Sequence, residues 1–133
     1  GLDLSGSKIL VKDNVFEGFL DKGMSVGENT KVFVSNNSFK GNRSAITSKD
    51  QSQVYIKGNV FLNNQIDVEM YQKKKFFKHP SVFDLNKGVN HLNIRKTPDS
   101  SYFKTTHTIQ DKINEFDVSI FSILENVPWI EYE

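Results

Sequence analysis

An internal repeat constrains this chain more than any other feature. The stretch Val32-Phe-Val-Ser-Asn-Asn-Ser-Phe-Lys-Gly-Asn42 is preceded by Ile9-Leu-Val-Lys-Asp-Asn-Val-Phe-Glu-Gly18 and followed by Val54-Tyr-Ile-Lys-Gly-Asn-Val-Phe-Leu-Asn-Asn64. Ile9, Val32 and Val54 share one register, as do Asn14, Asn37 and Asn59, and Phe16, Phe39 and Phe61, at spacings of 23 and then 22 residues. A fixed period of this size is the mark of a solenoid, in which each repeat buries its apolar face against its neighbours.

The residues within one period decide which solenoid. A shift of 22 pairs Met24 with Ile46 and Val68, and Val26 with Ser48 and Met70. Each coil therefore carries at least two short strands with alternating inward residues, separated by polar turns. The L-x-x-L-x-L pattern and helix of a leucine-rich repeat are absent. The expectation is an all-β chain, a right-handed parallel β-helix of coils about 22 residues long, with its handedness taken from the general rule for parallel crossovers. At one turn the three asparagines would stack, and beside it the three phenylalanines.

The stack accounts for most of the chain. Leu2 and Leu4 alternate with polar residues and read as the tail of an earlier repeat, so an N-terminally incomplete first coil is expected. After Tyr71 the period breaks at the basic loop Gln72-Lys-Lys-Lys-Phe-Phe-Lys-His-Pro80. Val82-Phe-Asp-Leu85 resumes the stack as a fourth coil, set back by about six residues, with His91-Leu-Asn-Ile94 as its next strand and a turn at Thr97–Ser101. The division expected is coils over residues 1–94 and a C-terminal capping segment over 95–133. Within that segment Thr108-Ile-Gln-Asp111 fits a helix N-cap. Ile109, Ile113 and Phe116 have helical spacing, whereas Phe116, Val118 and Ile120 alternate as in a strand.

Composition narrows the function classes. Seventeen Lys and Arg against sixteen Asp and Glu leave no charge excess for bulk nucleic-acid binding. No cysteine is present, so thiol and disulfide chemistry is excluded. No apolar run approaches the roughly 18 residues of a membrane-spanning helix. His79, His91 and His107 lack zinc-like spacing.

Asp21-Lys-Gly-Met-Ser-Val-Gly-Glu28, Ala45-Ile-Thr-Ser-Lys-Asp50 and Tyr71-Gln-Lys-Lys74 resemble a succession found in bacterial right-handed parallel β-helix repeat proteins, a group that includes polysaccharide lyases and glycoside hydrolases. The likeness spans about residues 9–94. It implies a secreted or surface-located bacterial parent acting on carbohydrate. Because one scaffold hosts many chemistries, it implies the fold more firmly than any reaction.

One edge could carry chemistry. The 22-residue shift aligns Glu28 with Asp50 and Gln72, beside Lys49, Lys73 and Lys74. Stacked strands stand roughly 4.8 Å apart. Glu28 and Asp50 at that spacing could hold a hard cation such as Ca²⁺, or share the acid and base roles of a glycosidase, for which separations of about 5–9.5 Å matter. The resemblance adds a lysine base, for which Lys22, Lys49 and Lys73 are candidates. Lys22, Tyr71, Lys73 and Lys74 are candidate carbohydrate contacts. The Lys73–Lys75 run with Phe76 and Phe77 could dock an acidic sugar or a partner surface. The competing account is a solvated rim of weak ion pairs. The expected role is a carbohydrate-associated binding or scaffold region. The rivals are a Ca²⁺-assisted lyase or glycosidase (Glu28, Lys49 and Asp50 catalytic) and a structural module that self-associates through its exposed N-terminal coil.

Overall fold

The computed structural model describes residues 1–86 and 91–104. The chain winds through three parallel sheets, and its first three full coils supply one short strand to each. Sheet A orders β1 (Leu2–Ser5), β4 (Lys22–Gly27), β7 (Ser44–Lys49), β10 (Ile66–Tyr71) and β12 (Ile94–Lys96). Sheet B contains β2 (Lys8–Lys12), β5 (Lys31–Ser35), β8 (Gln53–Lys57), β11 (Ser81–Asp84) and β13 (Ser101–Lys104). Sheet C holds β3 (Val15–Glu17), β6 (Ser38–Lys40) and β9 (Val60–Leu62). The result is an all-β solenoid of about four turns, with coils of about 22 residues and no helix among the described residues.

The register is the one the repeat implies. Ile9 lies beside Val32 and Val32 beside Val54. Met24 lies beside Ile46 and Ile46 beside Val68. These inward columns, with Val26, Val34, Ile56 and Met70, form a continuous buried core. Phe16, Phe39 and Phe61 stack nearly parallel, with centroids 4.9 and 5.2 Å apart. Inter-strand spacing sets that separation, so the rings take the stacked arrangement that the backbone dictates.

The turns are also columnar, and their backbone explains their residues. Gly6, Glu28 and Asp50 all have left-handed φ, as do Asp13, Asn36 and Gly58, and Gly18, Gly41 and Asn63. Only Gly, Asn and Asp adopt this region readily, which is why the turns are rich in them. Glu28, at φ 51°, is the costly occupant of its column.

Two asparagine ladders clamp the turns. Asn37 accepts from the backbone N–H and side-chain amide of Asn14, and donates to Asn59 and to the Val11 carbonyl. A second ladder runs from Asn42 to Asn64, with Asn42 accepting from the Phe19 backbone N–H. Asn42 and Asn64 carry the same 22-residue spacing as the first ladder.

The six-residue insertion is real: Val82 pairs with Val54, so the fourth coil re-enters register after the basic loop. The strand expected at His91–Ile94 instead begins at Ile94. Asp67 accepts the Asn93 backbone N–H at 2.8 Å, which sets Ile94 beside Val68 and leaves His91–Asn93 outside the ladder. Stacking continues past residue 94, since β13 pairs with β11 after the turn closed by Thr97 and Ser100. The N-cap pattern at Thr108 and the rest of the expected cap from 105 onward lie outside the described residues.

Candidate functional site

The chemistry-bearing side chains gather on the outer face of sheet A. Residues alternating with its core columns form an outward row in register: Asp3, Ser25, Thr47, Glu69 and Arg95. The next position along adds Lys49 beside Tyr71. Ser25, Thr47 and Glu69 are nevertheless buried, within a polar network. Arg43 pairs with Glu69 at 3.0 Å and Asp21 at 3.4 Å, Lys22 pairs with Asp21 at 2.9 Å, and Thr47 donates to Glu69.

Two adjoining clefts flank this row at its N-terminal end. One, of about 390 Å³, is lined by Asp3, Phe19, Asp21, Lys22, Lys49 and Lys73. The other, of about 270 Å³, shares Asp3, Lys49 and Lys73 and adds Ser5, Glu28, Asp50 and Lys74. A third, of about 260 Å³, lies at the other end between Glu69, Tyr71, Arg95 and Lys96.

Lys49 borders both of the first two. Its chain lies along the sheet over Gly27, where a Cβ would stand 3.5 Å from the lysine Cε. Burial, helped by Lys73 and Lys22, holds its ammonium below the ordinary lysine value; Asp3 and Asp50 oppose that shift. Across the cleft Lys22 is pushed up, chiefly by its hydrogen bond to Asp21. Burial raises the phenol of Tyr71.

The carboxylate pair differs from the expectation. Asp50 is 2% exposed, and its Oδ1 accepts the backbone N–H groups of Lys73 and Lys74 at 2.7 and 2.8 Å. It anchors the start of the basic loop. Glu28 accepts from the Ser5 hydroxyl at 2.8 Å and pairs with the Lys74 ammonium. Those bonds, that of Lys74 first, lower its pKa. Both carboxylates thus carry donors of their own, and among the described residues no group of three or more His, Asp or Glu is placed to hold a metal ion. At the Glu28/Asp50 edge, where Ca²⁺ binding is the expectation, Asp50 Oδ1 braces a turn and Glu28 is held in an ion pair.

Of the residues singled out from sequence, Lys22, Lys49 and Lys73 converge on the larger cleft, and Glu28, Lys49, Asp50, Lys73 and Lys74 on the smaller. Tyr71 sits beside Lys49 but borders the third cleft. Asp3, Phe19, Asp21, Arg43 and Glu69 were not foreseen. Asp3, Thr47 and Glu69 each follow an inward residue by one, so the period would have found them; Arg43 and Phe19 carry no such signal.

Three stacked parallel sheets with asparagine-clamped turns and polar residues on one outer face define a parallel β-solenoid. The family model describing a right-handed β-helix region matches residues 1–95, and the chain belongs to that family. Among curated proteins, none matches the sequence.

Proposed function

We propose that this β-helix region binds an acidic polysaccharide along the outer face of sheet A, as a binding and scaffold element of a secreted or surface-located bacterial protein. The observation that carries the reading is the convergence of Lys22, Lys49 and Lys73 on one cleft walled by Phe19. Lys49 is partly buried and, among the described residues, hydrogen-bonds no carboxylate. A desolvated ammonium without a bonded anion favours a ligand that brings one. A sheet of parallel strands also repeats its outward groups at roughly 4.8 Å, a regular surface suited to a regular polymer.

A second reading, a polysaccharide lyase, draws on Lys49 and Tyr71. They are neighbours in register, the lysine shifted down and the phenol shifted up. That is the arrangement of a base beside an acid. Lys49 would take the proton next to a uronate carboxyl, and Tyr71 would protonate the departing glycosidic oxygen.

The test is calorimetric titration with polygalacturonate and with neutral dextran, together with the ultraviolet absorbance of unsaturated product. Binding of the acidic polymer without turnover, weakened roughly tenfold or more by Lys49→Ala, is the expected result, since a charge-assisted hydrogen bond contributes about 1.5–3 kcal/mol. Turnover abolished by Lys49→Ala and reduced by Tyr71→Phe would replace binding with the lyase reading. No glycan binding, with oligomers in sedimentation, would favour the assembly role through the N-terminal coil.

A further inference from the structure

The basic loop between β10 and β11 presents a surface separate from the clefts. Its course is held by hydrogen bonds at both ends: Asp50 takes the Lys73 and Lys74 N–H groups, the Gln72 amide donates to the Phe77 carbonyl, and the Lys78 N–H donates to Gln51. On this braced loop Phe76 is 92% exposed and meets Phe77 edge-on, with rings 87° apart. A ring that serves as a stacking platform lies against the protein with one face covered. Phe76 stands clear instead, with an apolar side chain held out into water.

Lys75 and Lys78 flank it, both exposed and, among the described residues, neither paired with a carboxylate. Among the described residues Glu28 pairs with Lys74 and Asp50 takes two backbone N–H groups, so neither is paired with Lys75 or Lys78. An exposed phenyl ring flanked by ammonium groups that make no ion pair among the described residues matches the boundary of an anionic bilayer, where the ring enters the acyl region and the lysines remain among the headgroups. An acidic polymer would satisfy the lysines but give the ring no apolar phase to enter.

We infer that the Gln72–Pro80 loop is a peripheral docking point for an anionic lipid surface, with Phe76 inserting and Lys75 and Lys78 pairing with headgroups. The contact is weak and reversible, because one aromatic ring and two lysines fall short of a stable anchor. It is independent of the glycan reading, since Phe76, Lys75 and Lys78 line neither of the lysine clefts.

The experiment is flotation of the full chain with phosphatidylcholine vesicles, with and without phosphatidylserine. Recovery with the anionic vesicles only is expected. Lys75→Ala and Lys78→Ala should each weaken it about fivefold, and Phe76→Ser should reduce it without changing the melting temperature, because the ring is already exposed. Equal recovery with both vesicle types, or with neither, would overturn the proposal. So would phosphatidylserine binding that Phe76→Ser leaves intact, or a Phe76-dependent capture of polygalacturonate without vesicle binding.

Discussion

At the scale of single residues, Asn36 and Asn37 show how neighbours of the same type can differ in role. Asn37 is 1% exposed and joins three coils: it accepts from Asn14, and donates to Asn59 and the Val11 carbonyl. Asn36 instead occupies a left-handed turn at φ 56°. Replacing Asn37 with Ala leaves the buried Val11 carbonyl without its donor and cuts the bonds to Asn14 and Asn59, at about 1–3 kcal/mol for each buried group left unsatisfied. Replacing Asn36 with Ala incurs mainly the left-handed backbone penalty, about 1–2 kcal/mol. Thermal unfolding should therefore show a larger fall for Asn37→Ala; the reverse order would contradict the ladder as the clamp.

At the scale of elements, β11 and β13 are joined by a carboxylate inside the barrel of coils. Asp84 stands in the column of Val11, Val34 and Ile56, where aliphatic residues fill the earlier coils. It is fully buried, accepts from the Tyr102 hydroxyl at 2.7 Å and the Asn86 amides, and pairs with Lys104 at 2.9 Å. Burial pushes its pKa up, but the bonds from Tyr102, Lys104 and Asn86 outweigh that and hold it below the ordinary aspartate value. A carboxylate depressed on folding stabilises the protein above its unfolded pKa of roughly 4, and that contribution disappears as pH falls through the lower folded value. The melting temperature should therefore drop below about pH 4, and Asp84→Asn should flatten that acid limb while lowering stability at neutral pH. An unchanged acid limb in the variant would remove Asp84 from this role.

For the whole molecule, stability propagates from coil to coil. Each coil pairs only with its neighbours, so cooperativity is short-ranged and the ends open first. Among the described residues β1 pairs only with β4, whereas β7 is held between β4 and β10. Amide hydrogen exchange should accordingly be slowest in β7 and β8 and fastest in β1. Uniform protection would indicate a single cooperative unit. The same architecture tolerates the basic loop: a six-residue insertion sits at a turn, and the strands on either side keep their register.

How much of this was legible depends on whether a property repeats. Equivalent residues recur 22 or 23 positions apart, so the sequence by itself determined the coil, its inward columns, the phenylalanine stack and the Asn14–Asn37–Asn59 clamp. Glu28 and Asp50 were correctly aligned in one turn column, yet alignment says nothing about which atoms already have partners. Only the tertiary structure decided that Asp50 turns in to hold Lys73 and Lys74, that Glu28 is taken by Ser5 and Lys74, and that Lys49 lies over Gly27 between two clefts. Side-chain direction at a left-handed turn, and the desolvation of one lysine among three, depend on neighbours from several coils at once. Periodicity records which residues are equivalent; burial and pairing depend on what surrounds each one, and that differs from coil to coil.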